Sequence, residues 1–508
     1  MPQGAFAIGA REVEMNKRTK VVCTLGPATD SESTLKGLIA AGMDVARLDM
    51  TKAGIEEQTA RVQRLQKVRR EMDAPCAVMV DTRGPEIRTG GLAGAEPVKL
   101  MAGRHFTLTE REVEGDDRQV AISCPGLYEV VEPGTIILLD DGMIELAVDE
   151  VAGTDIECTV QNTGMLGERV TVNLPDVTAP LPTITQQDKE ALLFAIEHDA
   201  DFVVASFVHN ASEVREVYDF LDENGGHGIQ VISKIECNEA VRNIEEIIDA
   251  SFGIMIARVD LGIEVPAHSV PHIQKKIIRA CNDAAKVAIT STQMLDSMAR
   301  SPLPTRAEVG DLANAVCDGT DAIVLGDEVA FGRYPVQALR MAVQTIESSE
   351  PFVLEDVSVY RAKEHSQAAQ AVSQAAVACA EAINASCIVA PTLSGRTARL
   401  ASALRPLVPI YSVTATERTM RQQQLFWGVT PIMADVMNDV QQVIFNAQRA
   451  VLEHGLVDQG DIAVFTAGDR RTTPQVTMDA PGVKGEIAAT NVMQVVQIRS
   501  DAEQGGEL

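Results

Sequence analysis

Eight short apolar runs that alternate with helical patterns constrain the fold of this chain more than any other feature. The runs lie at residues 20–25, 44–48, 76–80, 202–207, 230–235, 253–257, 287–292 and 322–325. Helical periodicity separates many of them, at residues 31–41, 56–71, 212–223, 238–250 and 270–285. Continuous apolar runs are typical of buried parallel strands, which need crossover helices between them. Eight successive units predict an α/β fold, a (β/α)8 TIM barrel.

Two intervals depart from this rhythm. Between about residues 90 and 182, β-like pieces are separated by Gly, Pro and Asp, which predicts an all-β domain inserted after the third barrel strand. The tail alternates helical patterns with apolar runs and predicts a C-terminal α/β domain. The predicted division is an extension over 1–17, a barrel over 18–89 and 183–352, a β insertion over 90–182 and a C-terminal domain over 353–508.

Composition excludes several classes of partner. The 508 residues are too many for one ordinary core, and 72 acidic against 44 basic residues give a net charge of −28. Such a charge disfavours nucleic acid and anionic membranes as partners. Without a membrane-length apolar stretch or a signal-peptide pattern, the expected location is the cytoplasm. The nine scattered cysteines are expected to be reduced core thiols.

Charged residues follow most of the predicted strands. Lys234 and Glu236 end the fifth run, and Asp260 follows the sixth. The carboxyl ends of barrel strands are where this fold carries its chemistry, and two carboxylates beside a lysine suggest a divalent cation and an anionic substrate. A buried ion-pair network is the alternative for this stretch alone. Because charges recur after so many strands, function is the favoured interpretation of the whole set.

Several segments resemble the pyruvate kinase family. They are RTKVVCTLGPA (18–28), DTRGPEIRTG (81–90), VNLP (172–175), SKIE (233–236), TQMLDSM (292–298) and PTRAE (304–308). The resemblance extends from about residue 17 to 498. It implies a catalytic barrel, an inserted β-barrel lid, a C-terminal regulatory domain and a homotetramer. The implied reaction transfers a phosphoryl group from phosphoenolpyruvate to ADP, giving pyruvate and ATP.

The resemblance also implies roles for individual residues. Lys234 would contact the phosphoryl group and the developing enolate, Arg47 would grip the phosphate, and Thr292 would lie near the substrate carboxylate and the proton-delivery path. Glu236 and Asp260 would hold Mg²⁺ or Mn²⁺. These residues supply the positioned positive charge that phosphoryl transfer needs.

Further implied sites concern potassium, the nucleotide and an effector. The residues that match the K⁺ positions are Asp49, Thr51, Asp81 and Thr82, and Glu86 accompanies K⁺ dependence in the family. Arg88 and Lys52 would lie on the nucleotide side. A loop resembling the family's effector-phosphate loop contains Thr392, Ser394, Gly395, Arg396 and Thr397. A phosphorylated effector and an ordinary polar turn with an N-cap both remain open for this loop.

The chain departs from the family pattern at several of these positions. Val259 replaces a glycine whose N–H helps to cradle the substrate carboxylate, and Val170 replaces a phosphate-facing lysine. Asp49 and Lys52 replace Asn and His, and Gly326-Asp327-Glu328-Val329 replaces Ser-Gly-Glu-Thr. Valine resists left-handed or strained backbone conformations, so strain at Val259 is an expectation. If that strain limits the reaction, a Val259→Gly variant should be more active.

Three functions follow from the sequence. The first is an active pyruvate kinase, favoured by Lys234, Glu236, Asp260 and Thr292. The second is a divergent paralogue with weak or altered activity, acting as a regulatory or ligand-binding subunit. The third is a barrel enzyme that acts on another enol phosphate or carboxylate through the same metal site.

Overall fold

The first three barrel strands alternate with two helices. The computed structural model describes residues 17–353, 367–434, 440–468, 476–480, 483–487 and 490–499. Its first elements are β1 (Lys20–Thr24), α1 (Glu32–Ala40), β2 (Val45–Asp49), α2 (Ile55–Glu71) and β3 (Ala77–Asp81). The Ser31 hydroxyl accepts the Thr34 N–H and begins α1, while acids in the first turn and arginines in the last turn of α2 complement its dipole.

A β-rich insertion follows the third strand. Its elements are β4 (Ile87–Arg88), β5 (Val98–Leu100), β6 (His105–Thr109), β7 (Gln119–Ala121), α3 (Leu127–Val130), β8 (Ile136–Leu139), β9 (Ile144–Ala152), β10 (Asp155–Val160), β11 (Gly164–Leu166) and β12 (Thr171–Asn173). Seven strands form one sheet in the order β4-β12-β8-β9-β10-β6-β7, and β11 pairs with β5. Alternate residues of β10 are buried, as expected for a sheet with one face on a core.

Five more strands complete the barrel. The elements are α4 (Gln186–Glu197), β13 (Phe202–Ala205), α5 (Ala211–Glu223), β14 (Gln230–Ile235), α6 (Asn238–Arg242), α7 (Ile244–Ala250), β15 (Gly253–Ala257), α8 (Arg258–Glu264), α9 (Val270–Asp283), β16 (Val287–Ser291), α10 (Arg306–Cys317), β17 (Ala322–Leu325), α11 (Asp327–Ala330) and α12 (Pro335–Val353). The barrel closes in the order β1-β17-β16-β15-β14-β13-β3-β2, all parallel. The predicted (β/α)8 barrel is confirmed.

Several predicted boundaries were wrong by one or two residues, and the shifts matter. The second and third strands end at Asp49 and Asp81, so these acids are paired in register and do not lie in the following loops. The seventh strand ends before Thr292, whose φ of 71° is left-handed. The single helix predicted over 238–250 is divided at Asn243 into α6 and α7.

The C-terminal domain has an α/β fold, as predicted. Its elements are α13 (Gln367–Ala382), β18 (Cys387–Pro391), α14 (Arg396–Ala403), β19 (Ile410–Thr414), α15 (Glu417–Gln422), β20 (Val429–Met433), α16 (Val440–Glu453), β21 (Ile462–Ala467), β22 (Val476–Ala480), β23 (Val483–Ile487) and β24 (Val492–Gln497). The sheet order is β20-β19-β18-β21-β24, with β24 antiparallel, and β22 pairs with β23. Residues 1–16 of the predicted extension, and 354–366 and 500–508 of the tail, lie outside the described residues.

Most of the cysteine side chains lie in the protein core. All nine cysteines are unpaired, and seven of them are buried. In the part of the chain that the structure describes, no helix has both the length and the apolarity needed to cross a bilayer.

A buried ion pair joins the barrel to the C-terminal domain. Arg421 of α15 donates from Nε to Asp201 Oδ1 at 2.8 Å and from Nη2 to Asp199 Oδ2 at 2.8 Å. The other oxygen of Asp201 accepts the Val78 N–H at 2.8 Å. Asp201 is fully buried, whereas the Asp199 side chain is 54% exposed. The two acids therefore form a matched pair for testing this contact.

We expect Asp201→Asn to lower the free energy of unfolding by about 3 kcal/mol, because it leaves a buried guanidinium without its enclosed counter-charge. Asp199→Asn should cost less than about 1 kcal/mol, since solvent screens this half-exposed acid. Differential scanning calorimetry of the two variants would compare them. Equal decreases in Tm would contradict this account.

Candidate active site

Arg47 lies between two buried carboxylates at the carboxyl end of β2. Its Nε donates to Asp81 Oδ2 at 2.6 Å, its Nη2 to Asp49 Oδ2 at 3.1 Å, and its Nη1 to Thr24 Oγ1 at 3.0 Å. Burial alone would lower the pKa of Arg47, but the two carboxylates outweigh it and raise that pKa. Arg47 is therefore a fixed positive charge whose direction is set by its neighbours.

Asp49 is an ionised carboxylate held by Thr51. The Thr51 N–H and hydroxyl donate to Asp49 Oδ1 at 3.0 and 2.6 Å. Burial would raise the pKa of Asp49, but Arg47 and Thr51 outweigh it and lower the pKa to about 2. The Thr82 hydroxyl donates to the Val204 carbonyl at 3.1 Å. Of the four residues predicted to bind K⁺, Asp49 and Asp81 thus meet at Arg47.

Lys234, near the end of β14, is surrounded by acceptors at the carboxyl ends of β3, β13 and β14. Its Nζ lies 2.9 Å from Ser206 Oγ, 3.2 Å from Glu236 Oε1 and 3.5 Å from Asp81 Oδ1. Burial opposes the charge, but the carboxylates of Asp81 and Glu236 outweigh it and raise the pKa of Lys234. The lysine is therefore charged, although it is nearly buried.

Glu236 and Asp260 form a pair of acids beside this lysine. Glu236 is 2% exposed, and its Oε2 accepts the Phe207 N–H at 2.7 Å. Burial raises the pKa of both acids, Lys234 opposes that effect, and Asp260 further raises the pKa of Glu236. A bound cation would reduce the electrostatic repulsion between these two neighbouring carboxylates.

The two carboxylates suit a metal ion whose remaining ligands come from water or substrate. Among the described residues, no group of three or more His, Cys, Asp or Glu side chains is arranged to hold a metal ion. A site with two carboxylates leaves the other positions to water and substrate oxygens, which is how proteins commonly bind Mg²⁺. Glu236 and Asp260 therefore fit the cation that the sequence predicts.

Val259 is not strained, and the expectation of strain there was wrong. It lies in the first turn of α8, where its backbone is right-handed. Its N–H donates to Thr292 Oγ1 at 3.2 Å. The left-handed conformations belong to Thr292 and Gln293, with φ of 71° and 52°. The helix begins directly after β15, so a valine fits where the sequence comparison suggested a need for glycine.

The predicted nucleotide-side residues have partners of their own. Arg88 donates to Glu86 Oε2 from Nε at 2.9 Å and from Nη2 at 2.8 Å. Its Nη1 donates to the carbonyl of Arg169 at 2.9 Å, which links it to the loop before β12. Glu86, expected to accompany K⁺ dependence, thus forms an ion pair with Arg88. Val170 packs against the core of the insertion.

Two of the residues that depart from the family pattern lie close together in the structure. Lys52, after β2, lies 3.8 Å from Asp327 Oδ1, after β17. The Lys52 ammonium also lies 5.9 Å from the centre of the exposed Phe331 ring. Since β1 separates β2 from β17 in the barrel, this pair spans the mouth above β1. Sequence reasoning treated the two substitutions separately because nothing in the sequence marks them as neighbours.

A cavity of about 450 Å³ lies between the barrel mouth and the insertion. Asp260 and Glu86 are on its wall, and so are His209, Glu213 and Glu264, which the sequence interpretation did not single out. His209 Nδ1 lies 3.2 Å from Glu213 Oε2. Burial would lower the pKa of His209, but Cys237 and Glu213 outweigh it and raise the pKa to about 10. The unclustered histidines of the sequence gave no signal for this arrangement.

Hydrogen bonds within the chain hold the loop that resembles an effector site. Gly395 is left-handed, with φ of 79°, and precedes α14. Its N–H donates to Thr392 Oγ1 at 3.0 Å, and the Thr397 hydroxyl lies 2.6 Å from that of Thr490. Ser394 and Arg396 flank the same turn. These contacts are compatible with both interpretations of the loop.

Comparisons with known proteins agree on one family. The model of the pyruvate kinase barrel domain matches residues 16–339, and that of the pyruvate kinase alpha/beta domain matches residues 370–496. A pyruvate kinase of Clostridium acetobutylicum is 40% identical over 455 residues, which are 89% of this chain and 96% of that protein. One from Geobacillus stearothermophilus is 40% identical, over 95% of this chain and 80% of the relative.

A solved structure shows the same similarity. The crystal structure of a pyruvate kinase from Cryptosporidium parvum superposes with a TM-score of 0.84 and 32% identity. The match covers 95% of this chain and 96% of that one.

The Asp49 contacts predict a pH-dependent contribution to stability. The pKa of Asp49 is about 2 in the folded protein and about 3.9 in an unfolded chain, so its ionised form stabilises the fold by roughly 2–3 kcal/mol. Because the folded pKa is the lower one, this contribution is present above about pH 4 and is lost as the pH falls towards 2.

Urea unfolding of the wild type and of Asp49→Asn at several pH values would measure the contribution of the Asp49 charge to stability. The wild type should be more stable by a constant amount between pH 7 and 5, and the difference should shrink below about pH 4. A difference that persists unchanged at pH 3 would show that the charge of Asp49 is not the cause.

Proposed function

The chain belongs to the pyruvate kinase family, and from this we propose that it transfers a phosphoryl group from phosphoenolpyruvate to ADP, giving pyruvate and ATP. The observation that carries the proposal is the buried ammonium of Lys234 beside Glu236 and Asp260 at the barrel mouth. Nothing in the comparisons favours the second function, a divergent paralogue with weak or altered activity that acts as a regulatory or ligand-binding subunit. A phosphotransferase with this site needs an anionic substrate and a divalent cation.

Glu236 and Asp260 would hold Mg²⁺ or Mn²⁺. The cation would supply positive charge at the phosphoryl and enolate oxygens, where negative charge develops during transfer. The chain contributes the two carboxylates and keeps them close to Lys234. In the protein alone, Lys234 partly neutralises this acidic pair.

Lys234 and Arg47 would hold the transferring phosphoryl group. Both are permanently charged, because the carboxylates around them outweigh the cost of burial. Asp81 contacts both, through Oδ2 to Arg47 and Oδ1 to Lys234. One carboxylate therefore fixes the spacing of two cations, which favours a phosphoryl group placed between them.

Thr292 would lie at the substrate carboxylate and on the path of the proton that converts the enolate to pyruvate. Its hydroxyl donates to the Ser291 carbonyl at 2.7 Å and accepts the Val259 N–H at 3.2 Å. Val259 supplies this N–H as a glycine would. We assign Thr292 the proton-delivery role on the basis of the family resemblance and this fixed hydroxyl.

Monovalent-cation and nucleotide sites complete the proposal. Asp49, Thr51, Asp81 and Thr82 would bind K⁺, and activation by K⁺ is expected. Arg88 and Lys52 would contact ADP, with Lys52 released from Asp327 when the diphosphate is bound. A homotetramer, a phosphorylated effector at Thr392–Thr397, the four domain boundaries and a cytoplasmic location stay predictions from the sequence.

The assay that tests this function couples pyruvate formation to lactate dehydrogenase. We expect turnover with phosphoenolpyruvate, ADP, Mg²⁺ and K⁺, its loss on adding EDTA, and its return with excess Mg²⁺. Lys234→Met should lower kcat by about 10³-fold or more, because a charge that stabilises the transition state is removed.

Lys36→Met is the matched control, since this exposed lysine pairs with Glu71 on the outer helices. It should keep wild-type kinetics. Wild-type protein that shows no turnover at saturating substrates would refute the proposal. Turnover with a different enol phosphate or carboxylate would favour the third function inferred from the sequence.

Val259→Gly should not raise kcat, because Val259 has an ordinary helical backbone. Glycine is a poorer helix former than valine by about 0.5 kcal/mol, because it loses more backbone entropy on folding, so a slightly lower Tm is expected. Steady-state kinetics and calorimetry on this variant would measure both effects. A clear gain in kcat would restore the strain hypothesis.

A further inference from the structure

The turn after β16 holds a conformation that its own residues do not favour. Thr292 and Gln293 are consecutive and both left-handed, with φ of 71° and 52°. A β-branched residue is rarely left-handed, and such residues persist only where their surroundings hold them. Thr292 carries the hydroxyl placed at the substrate above. The source of the constraint is therefore relevant to catalysis.

Arg258 supplies that constraint. Its Nε donates to the carbonyl of Ser291 at 3.2 Å, and its Nη2 donates to the carbonyls of Thr292 and Gln293, the latter at 3.2 Å. A guanidinium presents its donors in a rigid plane. Bonds to three successive carbonyls therefore fix the peptide planes of the whole turn.

The guanidinium is itself held from the opposite side. Its Nη1 donates to Asp311 Oδ2 on α10 at 2.6 Å. The Arg258 side chain is 9% exposed, whereas that of Asp311 is 43% exposed. The contacts thus form a chain from a surface acid, through a buried arginine, to the turn that carries Thr292.

The start of α8 also fixes the Thr292 side chain. Val259, the residue after Arg258, donates its N–H to Thr292 Oγ1 at 3.2 Å. Asp260 follows in the same helical turn. Three successive residues therefore hold the Thr292 backbone, bind its hydroxyl and supply a carboxylate to the site.

Building on the proposed function, we propose that Arg258 is a positioning residue for the reaction. It acts through Thr292, by keeping the turn at residues 291–293 in its left-handed form. Asp311 orients Arg258. A residue that served only as an ion pair between α8 and α10 would stabilise the protein without any dependence on Thr292.

A double-mutant cycle separates these roles. Arg258→Lys keeps the charge but cannot reach three carbonyls, and a displacement of about 1 Å can cost about 10²-fold in rate. We expect Arg258→Lys to lower kcat by about 10- to 100-fold with the KM for ADP little changed. In a Thr292→Val background, the same change should lower kcat by less than about threefold. If the decreases in kcat caused by Arg258→Lys and by Thr292→Val multiply fully in the double variant, the proposal is overturned.

Arg449→Lys is the matched control, because this half-exposed arginine pairs with Glu453 on α16 of the C-terminal domain. It should leave kcat unchanged in both backgrounds. Asp311→Asn keeps Arg258 but removes its orienting acid, and should give a smaller loss of kcat that also depends on Thr292. This variant keeps the proposal testable if Arg258→Lys does not fold.

Hydrogen–deuterium exchange gives a readout that needs no turnover. Peptides that cover residues 291–295 should exchange faster in Arg258→Lys and Asp311→Asn, and at the wild-type rate in Arg449→Lys. Unchanged exchange in the first two variants would overturn the proposal. An inactive wild type would refute the proposed function instead, while the exchange data would still decide whether Arg258 holds the turn.

Discussion

The site depends on a row of alternating buried charges at the barrel mouth. Arg47, Asp81, Lys234 and Glu236 follow one another, with Asp81 bonded to both cations and Lys234 lying between two acids. Charges so far from water persist only when each has partners, because desolvation of an unpaired ion costs several kcal/mol. Each member therefore fixes the position of the next, and Glu236 and Asp260 are left as the acidic end of the row.

The departures from the family pattern are accommodated by contacts. Lys52 and Asp327 are each unusual alone, but they lie 3.8 Å apart and balance one another's charge. Asp49 replaces a neutral residue and pairs with Arg47 and Thr51. Val259 sits in an unstrained helical turn, and Val170 packs into the core of the insertion. Each of these five substitutions therefore has ordinary partners or packing in the structure.

Most of the candidate site could be predicted because its residues follow strands that the apolar pattern identifies. Lys234, Glu236 and Asp260 come together since β14 and β15 are parallel neighbours whose carboxyl ends share one edge. The Asp49–Asp81 register was missed, because a shift of one residue in strand ends is invisible to a hydrophobicity pattern. The left-handed turn at Thr292 was also missed, since its residue types favour other conformations.

The sequence by itself determined the barrel, the β insertion, the C-terminal α/β domain and the main candidate residues, because hydrophobic periodicity and motifs are local signals. Only the tertiary structure decided which charges share partners. It paired Lys52 with Asp327, Glu86 with Arg88, and Arg258 with the turn that carries Thr292. These contacts join residues from separate strands and helices, and their geometry depends on side-chain directions that follow from the closed barrel and have no signature along the chain.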